Sequence, residues 1–219
     1  MKSLNITIDL ETASLKSNAA IIQIAAVAWD IDAKTMKKQP ILYDKNNNPF
    51  IFNAYSDLRT CIVSGLDFDP ETIKWWSAQS KEAKAALVDT NFTLQPIYDL
   101  ISDFYSWIRE VKTYFHADEV IIWSQGTDSD ISILRTVSQI LGIKDLPWEY
   151  NNVRDCRTFR NSMCEILGLD IYSDIFKMPQ DNNLLVNGTT HNALYDALQS
   201  TWNVFIIRQW LKDYNHINK

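Results

Sequence analysis

Leu4, Ile6, Ile8 and Leu10 alternate with Asn5, Thr7, Asp9 and Glu11 at the start of the chain. A period of two sends these sets to opposite faces of a β-strand. After a polar break over residues 14–18, the run AIIQIAAVAWD (residues 20–30) reads as a second, more deeply buried strand. Residues 31–38 and 50–55 are expected to continue an antiparallel meander, with DKNNNP (residues 44–49) supplying an asparagine-rich turn.

From Asp57 onward the pattern turns helical. Pro70 suits the first position of a helix over residues 71–78, and Ser80 suits the cap of another. Leu94, Ile97, Ile101, Tyr105, Ile108 and Val111 recur at spacings of three and four, the mark of a long amphipathic helix. EVIIWS (residues 119–124) fits a short buried strand between helices. A helix carrying Ile131, Leu134, Val137 and Leu141 should follow it, then one over residues 155–167, and a last one over about residues 192–214 beyond a polar loop. This order predicts one mixed α/β domain over residues 1–219, a mixed β-sheet flanked by α-helices.

Charge narrows the functions. A net charge of −6 disfavours a protein that grips nucleic acid through overall positive charge. It leaves open an acidic enzyme that reaches phosphates through metal ions. Cys61, Cys156 and Cys164 form no C-x-x-C pair and are too scattered for a disulfide scaffold or a structural zinc site. They suit a reducing compartment. The N-terminal segment lacks the apolar core of a signal peptide, and no stretch approaches the ~20 apolar residues that span a bilayer. The expectation is a cytoplasmic protein with no membrane partner.

Three short patterns carry chemistry. Asp9 and Glu11, two apart on a strand, project from one face near its C-terminal end. By themselves they could be a solvated strand end, but two such carboxylates also suit a hard cation such as Mg²⁺. Asp130 follows the EVIIWS strand at the start of the next helix, where the helix dipole alone would favour an acid, and Asp128 competes with it. His191 and Asp196 fit H-x-A-x-x-D. Five helical residues would turn them about 140° apart. They work together better with His191 in the preceding loop or first turn, where Thr189 and Thr190 could cap the helix.

Asp9-x-Glu11, a central Asp130, and His191 with Asp196 five later resemble the ordered pattern of the DEDDh 3′→5′ exonucleases, which have a ribonuclease-H-like fold. Within that family, three longer strings are similar to the exonuclease A branch of T-even bacteriophages. They are ETIKWWSAQSKEA (residues 71–83), SQG with D-x-x-I-L (residues 124–134) and NVRDCRT (residues 152–158). The resemblance extends from Asp9 to Asp196. Ser129 departs from it, standing where the family often has an aromatic residue; Asp128 and Asp130 both stay candidates, and the register of Ile131 and Leu134 favours Asp130.

The resemblance implies that Asp9, Glu11, Asp130 and Asp196 hold two Mg²⁺ or Mn²⁺ ions and that His191 takes a proton from the attacking water. It implies release of nucleoside 5′-monophosphates from a nucleic acid 3′ end, with single-stranded DNA the expected polymer. An exoribonuclease or oligoribonuclease of the same fold is the first alternative, and a catalytically inactive nucleic-acid-binding module the second. Arg154 and Arg157, with Arg160 three further on, are candidates for phosphate contact if the segment is helical. Trp75 and Trp76 point about 100° apart on a helix, so one can pack inward while the other meets a base. Trp29, Trp123 and Trp202 are expected in the core, and His116 and His216 at the surface.

Overall fold

The computed structural model describes residues 2–34, 39–80, 93–179 and 190–217. The N-terminal alternation forms β1 (Ser3–Thr12) and the apolar run β2 (Ile21–Trp29). They pair antiparallel, with Ile8 opposite Ala26 and Glu11 opposite Gln23. β3 (Ile51–Ser56) pairs antiparallel with the other edge of β2. β4 (Leu94–Gln95), β5 (Glu119–Ser124) and β6 (Val153–Asp155) complete a six-stranded sheet in the order β4-β3-β2-β1-β5-β6. β5 runs parallel to β1, β6 parallel to β5, and β4 parallel to β3.

Among the described residues the α-helices are α1 (Leu58–Val63), α2 (Pro70–Ser77), α3 (Ile97–Tyr114), α4 (Asp130–Ile140), α5 (Cys156–Leu167) and α6 (Ala193–Ile217). They cover both faces of the sheet, as the expected mixed α/β architecture requires. Leu4, Ile6, Ile8 and Leu10 of β1 join Ile22 and Ile24 of β2 and pack with Ile101, Phe104 and Ile108 of α3 and with Ile131 and Leu134 of α4. On the opposite face, Trp29, Ile121 and Trp123 pack with Cys156 and Cys164 of α5 and with Trp202, Phe205 and Ile207 of α6. The polar face of β1 is therefore covered too: Asn5 and Thr7 are buried, and the Asn5 Oδ1 accepts the Trp123 indole N–H at 3.0 Å.

Several elements differ from the sequence expectation. Residues 31–34 turn instead of extending, with the Asp30 carboxylate accepting the Asp32 N–H at 2.9 Å; residues 35–38 lie outside the described residues. The bridge to β2 is made by Ile41 opposite Trp29, and the asparagine-rich turn follows, organised by Asp44, which accepts the Asn46 and Asn48 N–H groups at 2.8 and 2.7 Å. Leu94 sits in β4, not α3, because Pro96 separates it from the helix. Asp155 ends β6 and caps α5, accepting the Thr158 N–H at 2.7 Å. Any helix capped by Ser80 falls in residues 81–92, outside the described residues. All three cysteines are free and buried, and no described helix is long and apolar enough to cross a membrane.

Candidate active site

β1 outruns its neighbour. Pairing with β5 ends at Thr7 opposite Trp123, while β1 continues to Thr12. The edge beyond Thr7 is met by the start of α4, where the Leu10 N–H is directed at the Asp130 carboxylate. The turn into this helix is closed by the Gly126 carbonyl, which accepts the Ser129 and Asp130 N–H groups at 2.9 and 3.1 Å. It is tied to α5 by Asp155, whose Oδ2 accepts the Thr127 N–H at 3.0 Å. Asp130 is thereby buried beside Asp9, while Asp128 is exposed.

The third segment arrives on α6. Asn192 is its cap: the side-chain Oδ1 accepts the Leu194 and Tyr195 N–H groups at 3.2 and 3.3 Å. Asn192 takes the role expected of Thr190; Thr189 lies outside the described residues. Ala193 and Ala197 are fully buried, their small side chains letting the helix lie close to the sheet. Asp196 then faces β1, and ligand oxygens of Asp9, Glu11 and Asp196 all lie within 4.8 Å of one another. His191 precedes the helix with φ 68°, a left-handed conformation uncommon for a residue with a Cβ. Its N–H donates to the Asp196 Oδ2 at 2.9 Å, which fixes the backbone of the histidine to one of the clustered carboxylates.

This arrangement concentrates negative charge where water is scarce. Burial pushes the Asp9 carboxyl well above the usual range, and Asp130, Glu11 and Asp196 raise it further. Glu11 is pushed up to about 8, by burial first and then by Asp196 and Asp130. Asp130 is pushed up to about 7 by burial, with nearby Arg157 and the Leu10 N–H opposing the shift and Asp155 adding to it. Asp196 is raised by burial, against the His191 N–H and ring. Among the described residues no lysine or arginine forms an ion pair with Asp9, Glu11 or Asp196. Buried carboxylates can ionise together only beside positive charge, and an all-oxygen donor set suits a hard divalent cation. The residues therefore fit such an ion. Burial pushes the Cys156 thiol far up, and the charges of Asp155, Asp130 and Asp9 push it further.

A cleft of about 450 Å³ opens beside the cluster, lined by Glu11, Thr12, Leu15, Trp75, Trp76 and Ser129. Trp75 is 43% exposed and meets the His191 ring edge to face, with centroids 4.8 Å apart. Trp76 turns inward, and its indole N–H donates to the Thr12 carbonyl at 2.9 Å, pinning α2 to the end of β1. The arginines do not form one helical row, because Arg154 belongs to β6 while Arg157 and Arg160 belong to α5. Arg154 donates to the carbonyls of Asn151 and Val153 at 2.8 and 2.9 Å, while exposed Arg157 lies close enough to Asp130 to act on its charge. Trp29, Trp123 and Trp202 are core residues; His116 is exposed, and the side chain of His216 lies outside the described residues.

The residue that ties the site together, Gln23, belongs to none of the motifs. Gln23 is 1% exposed near the start of β2, and its Oε1 accepts the Ala193 N–H at 3.1 Å. Its Nε2 donates to Asn53 Oδ1 at 2.8 Å and to the Tyr55 hydroxyl at 3.2 Å. The available signal was a lone amide in an otherwise apolar strand.

A mixed sheet in this order, flanked by helices, defines the ribonuclease-H-like exonuclease class of fold. The chain belongs to the family described as the 3'-5' exoribonuclease Rv2179c-like domain, whose model matches residues 4–207. No curated protein matches it by sequence. Among solved structures it is similar to cell-death related nuclease 4 (CRN-4), with TM-score 0.56, 14% identity, and coverage of 96% of this chain and 64% of that one. It is similar to the nuclease domain of 3'hExo, a DEDDh family member bound to rAMP, with TM-score 0.52, 13% identity, and coverage of 97% and 93%. The zinc-bound E. coli ExoI–ssDNA complex gives TM-score 0.55 and 11% identity over 98% of this chain and 43% of that one. The chain thus spans less than two thirds of CRN-4 and less than half of ExoI.

Proposed function

We propose that the chain is a divalent-metal-dependent 3′→5′ exonuclease that releases nucleoside 5′-monophosphates from single-stranded ends. The observation that carries this reading is the convergence of Asp9, Glu11 and Asp196, with Asp130 buried alongside, beneath His191 and beside an aromatic-lined cleft. Asp9, Glu11, Asp130 and Asp196 would hold two Mg²⁺ or Mn²⁺ ions. Bound there, the ions supply positive charge that acidifies water and offsets charge on the scissile phosphate and the departing 3′ oxygen. His191 accepts the proton of the attacking water, a task suited to an imidazole, whose free ring nitrogen can take up a proton and later give it back. Asp196 holds the histidine backbone in its unusual conformation. Trp75 offers a face to a terminal base, and Arg157 offers a positive charge to a phosphate near Asp130.

The carboxylates act on a phosphodiester common to DNA and RNA. The description of the matched family favours RNA. The strings that resemble the T-even bacteriophage branch favour DNA, and action in the cytoplasm of a phage-infected host would belong with that reading. Initial rates on matched single-stranded DNA, duplex DNA and RNA with Mg²⁺ or Mn²⁺ test the proposal. Mononucleotide release is expected to be fastest from a single strand, and the faster of the two single strands identifies the polymer. Absence of release from all three would refute the nuclease reading and leave a binding module.

A further inference from the structure

Gln23 joins three elements that must agree in position for the carboxylates to meet. It lies on β2 directly opposite Glu11 of β1. Its amide oxygen accepts the first N–H of α6, and its amide nitrogen donates to Asn53 and Tyr55 of β3. The Tyr55 hydroxyl in turn interacts with the side chain of Asn192, the cap of α6. The start of α6 is therefore attached to the sheet twice, at Ala193 through Gln23 and at Asn192 through Tyr55. Asp196 lies three residues beyond the Ala193 attachment, about 4.5 Å along the helix axis. Less than one turn of helix separates the attachment from the carboxylate. A slip of this helix end would move Asp196 and, through the bond its carboxylate accepts from the His191 N–H, His191 together.

An apolar residue would satisfy packing in this strand, since Ala25 and Val27 follow on the same face and the site is fully enclosed. A buried amide costs free energy unless its oxygen and nitrogen are both bonded, and here both are. We propose that Gln23 is the positioning residue that sets the distance from Asp196 to Asp9 and Glu11, and so the affinity of the carboxylates for divalent metal. This rests on the metal-dependent reading above, which it deepens. Gln23 touches neither substrate nor metal; it acts through α6.

The test is Mn²⁺ binding by calorimetry, alongside kcat and KM on an oligonucleotide, in the full chain. Gln23→Leu, similar in size but without polar atoms, should bind Mn²⁺ about tenfold or more weakly and lose a similar factor in kcat, with KM within about twofold. A folded Gln23→Leu with wild-type Mn²⁺ affinity overturns the proposal. Should that variant not fold, Asn53→Ala at an exposed position removes one anchor of the amide and should weaken Mn²⁺ about threefold; wild-type affinity there overturns it equally. A wild-type chain that binds Mn²⁺ but releases no nucleotide defeats the nuclease reading, and the affinity series still judges Gln23. A wild-type chain that binds no Mn²⁺ defeats both.

Discussion

His191 carries two separable properties, a ring and a left-handed backbone with φ 68°. Asparagine adopts this backbone more readily than alanine and has no ring nitrogen to take up a proton. His191→Asn should therefore melt close to wild type while His191→Ala melts lower, and both should lose roughly 10²- to 10⁴-fold in kcat with metal affinity retained. Calorimetry of metal binding and single-turnover rates check this; unchanged turnover in His191→Asn would remove the ring from the chemistry. The contrast between Asp128 and Asp130 also lies at this scale. The register of Ile131 and Leu134 pointed to Asp130, and its burial beside Asp9, with Asp128 exposed, follows from β1 extending past the end of β5. Relative strand lengths are set by packing and were not written in either motif.

At the scale of elements, α2 separates two roles in adjacent residues. Trp76 is 3% exposed and holds the Thr12 carbonyl, whereas Trp75 borders the cleft. Trp76→Ala should cost about 3–5 kcal/mol of stability. Trp75→Ala should leave the melting temperature nearly unchanged but raise KM for a single-stranded oligonucleotide by roughly 5- to 100-fold, the worth of one stacked base. Denaturant melts and steady-state kinetics separate the two, and equal loss of stability in both would contradict the division. The strands β1, β2 and β5 were legible because burial imposes a period of two or a continuous apolar run on enough residues to be read. β4 and β6 have two and three residues, too few to show a period, and owe their pairing to neighbours. Leu94 matched the α3 spacing by accident, and Pro96 enforces the break.

For the whole molecule, the acidic balance is partly a property of the site. Asp130 and Glu11 have folded-state values of about 7 and 8, above the ordinary 3.8 and 4.5. A carboxyl raised on folding favours the fold fully below its unfolded value, and that contribution disappears as pH climbs through the folded value. In EDTA the melting temperature should accordingly fall by several degrees between about pH 5 and pH 8.5. The stabilisation from added Mg²⁺ should grow over the same window, because the ion binds the ionised form. Scanning calorimetry with and without Mg²⁺ measures both, and a Mg²⁺ increment that shrinks with rising pH would contradict the site. The ordered acids and H-x-A-x-x-D were readable in the sequence. The amide that spaces them was not, because Gln23 matters through a contact with Ala193 made between β2 and α6.

The most direct measurement follows a 5′-labelled single-stranded oligonucleotide with Mg²⁺ and with EDTA, in wild type and in Asp9→Asn, Asp130→Asn and Asp196→Asn. The wild type should shorten it from the 3′ end with Mg²⁺ alone, releasing nucleoside 5′-monophosphates, and each variant should fold yet lose at least about 10³-fold in rate. Shortening that persists in EDTA, or that survives at full rate in any of the three variants, would contradict the account.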